Sequence, residues 1–211
     1  MKTKLINIIA VLSFITIIII LINITSVFIK ISDFKKEMTG KASAYVNLSI
    51  SSSVTINMTR DSMDWGSGRV DTGSTNATLY TRGDDNASVS NGNWSNSSAK
   101  AFVIENTGNI NVSLSLQNTN DANDFFASVS SLNQEYKLNV SNKEAGSCSG
   151  DLLNVWTDVN KTSGGTKYCD QLSSLDTKDE VFIDVWLKVP YDASNLGALS
   201  DALTVIASSA G

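Results

Sequence analysis

From Ala44 onward, apolar residues recur at every second position, and that period constrains the chain more than any other feature. Side chains on a strand alternate between two faces, so period two describes a strand with one face in a core and one in water. Val46, Leu48 and Ile50 point one way, followed by Val54, Ile56 and Met58. Ile110, Val112, Leu114 and Leu116 repeat the pattern, as do Val181, Ile183, Val185, Leu187 and Val189, before Pro190 ends that run. Weaker runs occur in NATLYT, AFVIEN, EYKLNV and LLNVWTD, and ALTVIASS reads as a closing strand. About eight strands with polar turns between them predict an all-β fold, an antiparallel sandwich whose alternating residues share one core. Within it, AFVIENTGNINVSLSL (Ala101–Leu116) reads as a hairpin with Thr107-Gly108 at its tip, Gly supplying a positive φ.

Ahead of this body, MKTKLINIIAVLSFITIIIILINITSVFIK carries no charge from Leu5 through Ile29. As one helix that stretch reaches about 37 Å, more than the roughly 30 Å hydrocarbon core of a bilayer. The expected organisation is a transmembrane anchor over 1–31 held in the lipid bilayer, a juxtamembrane linker over 32–43 and an extracytoplasmic domain over 44–211. A cleaved signal fits less well, because the Ala-x-Ala pattern at Ala42-Ser43-Ala44 lies too far beyond the apolar run. A pilin-type filament helix is the third alternative, although no Gly or Ala cleavage site directly precedes the apolar residues. Orientation is contested within the sequence. Lys2 and Lys4 precede the segment, while Lys30, Lys35, Lys36 and Lys41 follow it, offset by Asp33 and Glu37. That count leans toward a cytoplasmic C-terminal domain, against the extracytoplasmic character of the body.

That character comes from composition and cysteine usage. Only 18% of residues are charged, so solubility rests on Ser, Thr, Asn and Gly. The net charge of -5 argues against a nucleic-acid partner, which calls for a basic face. The absence of histidine removes Ser-His-Asp and Cys-His catalysis and the zinc sites that need His. Carboxylate chemistry stays open, but no paired-acid motif stands out, so neither an enzymatic role nor a cofactor nor a metal is expected. The two cysteines, Cys148 and Cys169, are either free thiols or a disulfide across a loop rich in Gly, Ser, Asp and Lys. As a bridge they would stabilise the fold by about 3 kcal/mol in the chain-entropy model and would place the domain in an oxidising compartment.

Asn-x-Ser/Thr sequons point the same way. Asn47, Asn57, Asn111 and Asn139 fall on the polar phase of their strands, where a sugar would project into water. Asn76, Asn86, Asn93, Asn96 and Asn160 fall in or near loops. The bland alternative is that strand alternation in a Ser/Thr/Asn-rich chain generates such triplets by itself.

DSMDWGSGRVDTGSTNATLYT, followed later by AFVIENTGNINVSLSL, resembles a recurrent pattern of immunoglobulin-like surface sandwiches. The matching positions are Asp64, Trp65, Gly66, Val70 and Gly73, then Asn106, Gly108 and Asn109. The pattern is similar to domains of the ASPM/SPD-2/Hydin type and, more distantly, to TasA-like fibre proteins. The nearest resemblance is to small archaeal surface proteins with one N-terminal apolar helix and one such head. It implies an immunoglobulin-like sandwich in which Trp65 plugs the core and Gly66, Gly68 and Gly73 permit tight turns.

Three further features carry candidate chemistry. Arg82-Gly83-Asp84 spells an adhesion tripeptide, which three residues also produce by chance. Asn118 to Phe125 (NTNDANDF) is dense in oxygen donors and, with Asp84 and Asp85, is a calcium candidate; it lacks EF-hand spacing, and a hydrated turn is the simpler account. Phe182 and Trp186 lie on the polar phase of VFIDVWLKV, either as a docking patch or beneath covering loops. The functional expectation is a non-enzymatic cell-surface component with a structural or adhesive role, contacting copies of itself or other envelope proteins. The alternatives are a subunit of an extracellular filament and a carbohydrate- or calcium-binding module.

Overall fold

A computed structural model describes residues 12–25, 48–95, 98–128 and 133–211. They divide into two compact units between Ser49 and Ile50. The first holds helix α1, residues 12–25, where Thr16, Asn23 and Thr25 return hydrogen bonds to carbonyls of the preceding turn. The expected transmembrane helix over 1–31 is overturned here: among the described residues no helix is long and apolar enough to cross a membrane. The described residues 12–25 of α1 span about 21 Å at about 1.5 Å per residue, against a core of about 30 Å. Among the described residues, the expected signal anchor therefore has no such helix to rest on. Residues 1–11 and 26–47, including the 32–43 linker, lie outside the described residues.

The second unit is built of β1 (Ile56–Arg60), β2 (Asn76–Arg82), β3 (Asp85–Ser90), β4 (Phe102–Asn106), β5 (Val112–Asn118) and β6 (Glu135–Asn142), with the short helix α2 (Ala122–Phe126) between the last two. It continues with β7 (Cys148–Leu152), β8 (Thr157–Asp158), β9 (Thr166–Leu172), β10 (Glu180–Pro190) and β11 (Leu203–Ser209). Two antiparallel sheets result. In the seven-stranded sheet, β10 pairs with β6 along one edge from Val181 to Lys188. Its other edge is divided, β4 taking Glu180–Ile183 and β2 taking Trp186–Pro190. Strands β1, β3 and β8 flank β4, β2 and β6. The four-stranded sheet runs β11-β5-β9-β7.

The inner faces meet in one core. Val181, Ile183, Val185 and Leu187 of β10 join Leu114, Leu116, Tyr168 and Leu172 of the opposite sheet in a single buried cluster. Each such side chain stabilises by about 1.5–3 kcal/mol when fully removed from water. Burial also pushes the Tyr168 hydroxyl up to about 12.

The expected hairpin at Ala101–Leu116 is not one. β4 belongs to the seven-stranded sheet and β5 to the four-stranded sheet, so Asn-Thr-Gly-Asn forms an arch between layers. The buried Asn106 side chain fixes that arch. Its Nδ2 donates to the carbonyls of Ile110, Leu172 and Ser173, and its Oδ1 accepts from the Gly108 amide at 3.0 Å. Gly108 has no positive φ; a Cβ there would lie 2.4 Å from the Ser53 carbonyl oxygen, so close approach is what demands glycine. Asn109 clamps the incoming chain, donating to Ser51 O and accepting from Ser53 N. Of the strand expected over Val46, Leu48 and Ile50, Val46 lies outside the described residues, while Leu48 and Ile50 are exposed outside any ladder, the first described pairing starting at Ile56.

Candidate functional site: an aromatic face on the seven-stranded sheet

Strand register brings together residues that the sequence scatters. Across the outer face, direct partners run Asp158 (β8), Lys137 (β6), Trp186 (β10), Tyr80 (β2) and Ser88 (β3). The neighbouring row runs Glu135, Lys188, Thr78 and Ser90. The Tyr80 and Trp186 rings stack with centroids 5.1 Å apart and planes 21° from parallel. Trp156, 37% exposed, approaches Trp186 at 5.6 Å with its ring tilted by 54°. Each ring pair adds about 0.5–1.5 kcal/mol beyond simple burial.

Charged groups frame the rings in opposed pairs. Lys137 lies 3.0 Å from Glu135 and 4.0 Å from Asp158, and Lys188 lies 3.6 Å from Glu135. Such half-exposed pairs contribute little to stability, about 0–1 kcal/mol each; what they set is a face with two lysines against two carboxylates. Two polar atoms there are shielded from solvent without a protein partner: the Trp186 indole Nε1 and Asn139 Oδ1. Asn139 is directly opposite Asp184, two residues along from the Lys137–Trp186 pair and so on the same face.

The two aromatics singled out on β10 thus part company. Trp186 enters the ring cluster, whereas Phe182 lies under the β2–β3 turn, 3.2 Å from where a Gly83 Cβ would be. That turn contains Arg82-Gly83-Asp84. Gly83 is buried with φ 58° and its amide donates to the buried Asp184 carboxylate, which also accepts from the Thr81 hydroxyl. Asp84 pairs with Arg60 at 2.6 Å, and the Arg60 guanidinium holds its carboxyl below the ordinary value. The tripeptide is accordingly a fold-bearing turn. Tyr80 and Trp156 escaped the sequence reading; Tyr80 carried the same signal as Trp186, an aromatic on the polar phase of its run.

In the oxygen-rich stretch Asn118 to Phe125, Asn118 and Asn120 donate to Asp201, and the two acids face a lysine. Asp121 caps α2 in a reciprocal capping box with Asp124, and Lys161 Nζ sits 2.9 Å from Asp121 and 2.6 Å from Asp124. Lys161 and the Asp124 amide hold the Asp121 carboxyl below its ordinary value, and the two carboxylates raise Lys161. Among the described residues no group of three metal-ligating side chains stands close enough to hold an ion.

Asp64, Trp65, Gly66, Val70 and Gly73 line a surface cavity of about 1000 Å³ against the 190–199 segment. Trp65 is half-buried against the core instead of plugging it. Gly66 and Gly73 adopt φ of 68° and 90°. Gly68 does not, and is needed because a Cβ would lie 2.5 Å from Trp94.

Cys148 and Cys169 form a disulfide joining the paired strands β7 and β9. Among the sequons, Asn57, Asn86, Asn93 and Asn111 are exposed, while Asn76, Asn139 and Asn160 are half-buried. Asn76 and Asn86 lie in strands and Asn111 in the turn before β5; Asn47 and Asn96 are outside the described residues. No family model, curated protein or solved structure matches this chain.

Proposed function

We propose that this chain is a structural or adhesive surface module displayed outside the cell. The observation that carries the reading is the Cys148–Cys169 bridge, whose Cys169 is fully buried. Structural bridges of this kind persist in oxidising spaces and are rare where thiol buffers act. Two features support it. Asn57, Asn86, Asn93 and Asn111 stand exposed and are proposed to carry glycans. With no histidine in the chain, the residues offer contact surface more readily than proton transfer.

The test is peptide mapping of the protein isolated from its native source, with and without reductant, alongside protease treatment of intact cells. A bridged Cys148/Cys169 peptide, glycan on at least one exposed sequon and digestion before lysis are the expected results. Free thiols, bare asparagines and digestion only after lysis would overturn the proposal.

A further inference from the structure

We propose that the outer face of the seven-stranded sheet, centred on Trp186 with Tyr80 and Trp156, binds a neutral, gluco-configured oligosaccharide. This goes beyond surface display and does not depend on where the module is displayed.

Ring chemistry comes first. A gluco-configured pyranose holds its hydroxyls equatorial and so presents flat, C–H-lined faces. Those weakly positive hydrogens suit the negative face of an aromatic ring. Tyr80 and Trp186 stack on each other and Trp156 packs against Trp186, so the pair supports Trp156, the exposed ring left to take a sugar face. Around the rings, Ser88, Ser90 and Thr78 on one side and Lys137, Glu135 and Asp158 on the other offer donors and acceptors. Neighbouring strands are about 4.8 Å apart, so polar groups and rings repeat at roughly the span of one sugar ring.

Charge narrows the ligand. Two lysines face two carboxylates within 4.0 Å and the Asp184 carboxylate lies on the same face, so no basic excess is present to attract a phosphate backbone or an acidic peptide. An uncharged polyhydroxylated ligand loses nothing on such a surface and can hydrogen-bond to both signs. The orphaned atoms point the same way. Trp186 Nε1 is a donor and Asn139 Oδ1 an acceptor, neither with a protein partner, and a sugar hydroxyl serves as acceptor and donor at once. Both atoms are shielded from solvent, so seating a hydroxyl on them requires side chains around them to shift, and Trp156, which packs on Trp186, is carried by a coil. That coil is followed by β8, which is only two residues long and pairs with β6 alone.

The full chain, with its bridge intact, is titrated with β-1,4-linked trimers of glucose and of N-acetylglucosamine, with sorbitol as the control that cannot stack. Indole N–H resonances and tryptophan emission provide the readouts. A saturable response to at least one trimer in the millimolar range, none to sorbitol, and movement of the Trp186 indole resonance are expected. Trp156→Ala should weaken binding by about tenfold, as loss of an anchor ring does, while Trp156→Phe retains most of it. Both variants must melt like the parent, which separates site loss from unfolding. Silence toward both trimers, an equal response to sorbitol, undiminished binding by Trp156→Ala, or self-association through this face in place of sugar binding would each overturn the proposal.

Discussion

A single amide side chain holds the two layers of the sandwich in register where the chain passes from one to the other. Asn106 satisfies three carbonyls, two of them at the end of β9, from a position 1% exposed. Asn106→Ala would strand those acceptors, so the expected loss is about 2–4 kcal/mol in urea unfolding. Asn106→Asp should be worse, since a carboxylate cannot donate to them. Asp179 acts in the opposite sense. Its carboxyl is raised above the ordinary value by burial and by Glu144, with Glu105 and Asp176 adding to the effect. A raised folded-state value means its contribution is fully present below the unfolded value of 3.8 and is lost as pH rises through the folded one. Asp179→Asn should therefore stabilise at pH 7 and gain nothing once Asp179 is protonated, as thermal melts across acidic pH will show.

Among the elements, helix α2 and the β7–β9 ladder each depend on one local device. Asp121→Ala removes the cap of α2 and one partner of Lys161, an expected cost of about 1 kcal/mol. Because the Asp121 carboxyl is held low in the fold, that difference is present above pH 3.8 and fades as pH falls through the folded value. Reduction of the Cys148–Cys169 bridge, which spans a sequence separation of 21, should lower stability by about 3 kcal/mol; paired denaturant melts measure it. Strands β5 and β10 are legible in the sequence because Val112, Leu114 and Leu116 on the one and Val181 through Val189 on the other alternate without a break, which fixes the period. Strand β7 is not: CSGDL is mostly exposed on the sheet edge and carries no alternation. Helix α2 is not legible either: at five residues it has no apolar stripe to announce it. The arch at Asn106–Asn109 looked like a hairpin because a polar turn between two alternating runs is the same locally whether the second run pairs with the first or crosses to the other layer. The candidate site shows the same limit. An aromatic on the polar phase flags Trp186, yet its partnership with Tyr80 and Trp156 exists only through pairing between distant strands.

For the molecule as a whole, strand β10 sets the order in which structure can accumulate. It alone connects β6, β4 and β2, and its residues come after all three in the chain. A ribosome extending this chain would therefore hold an unfinished sheet with open edges until Glu180–Pro190 emerges, a state prone to sticking to its neighbours. A nascent chain stalled before Glu180 should remain protease-sensitive, and one extended past Ser209 should become resistant in a single step. Synthesis of such a domain needs protection from its own exposed ladders for most of its length, so its yield would depend on chaperone supply more than on final stability.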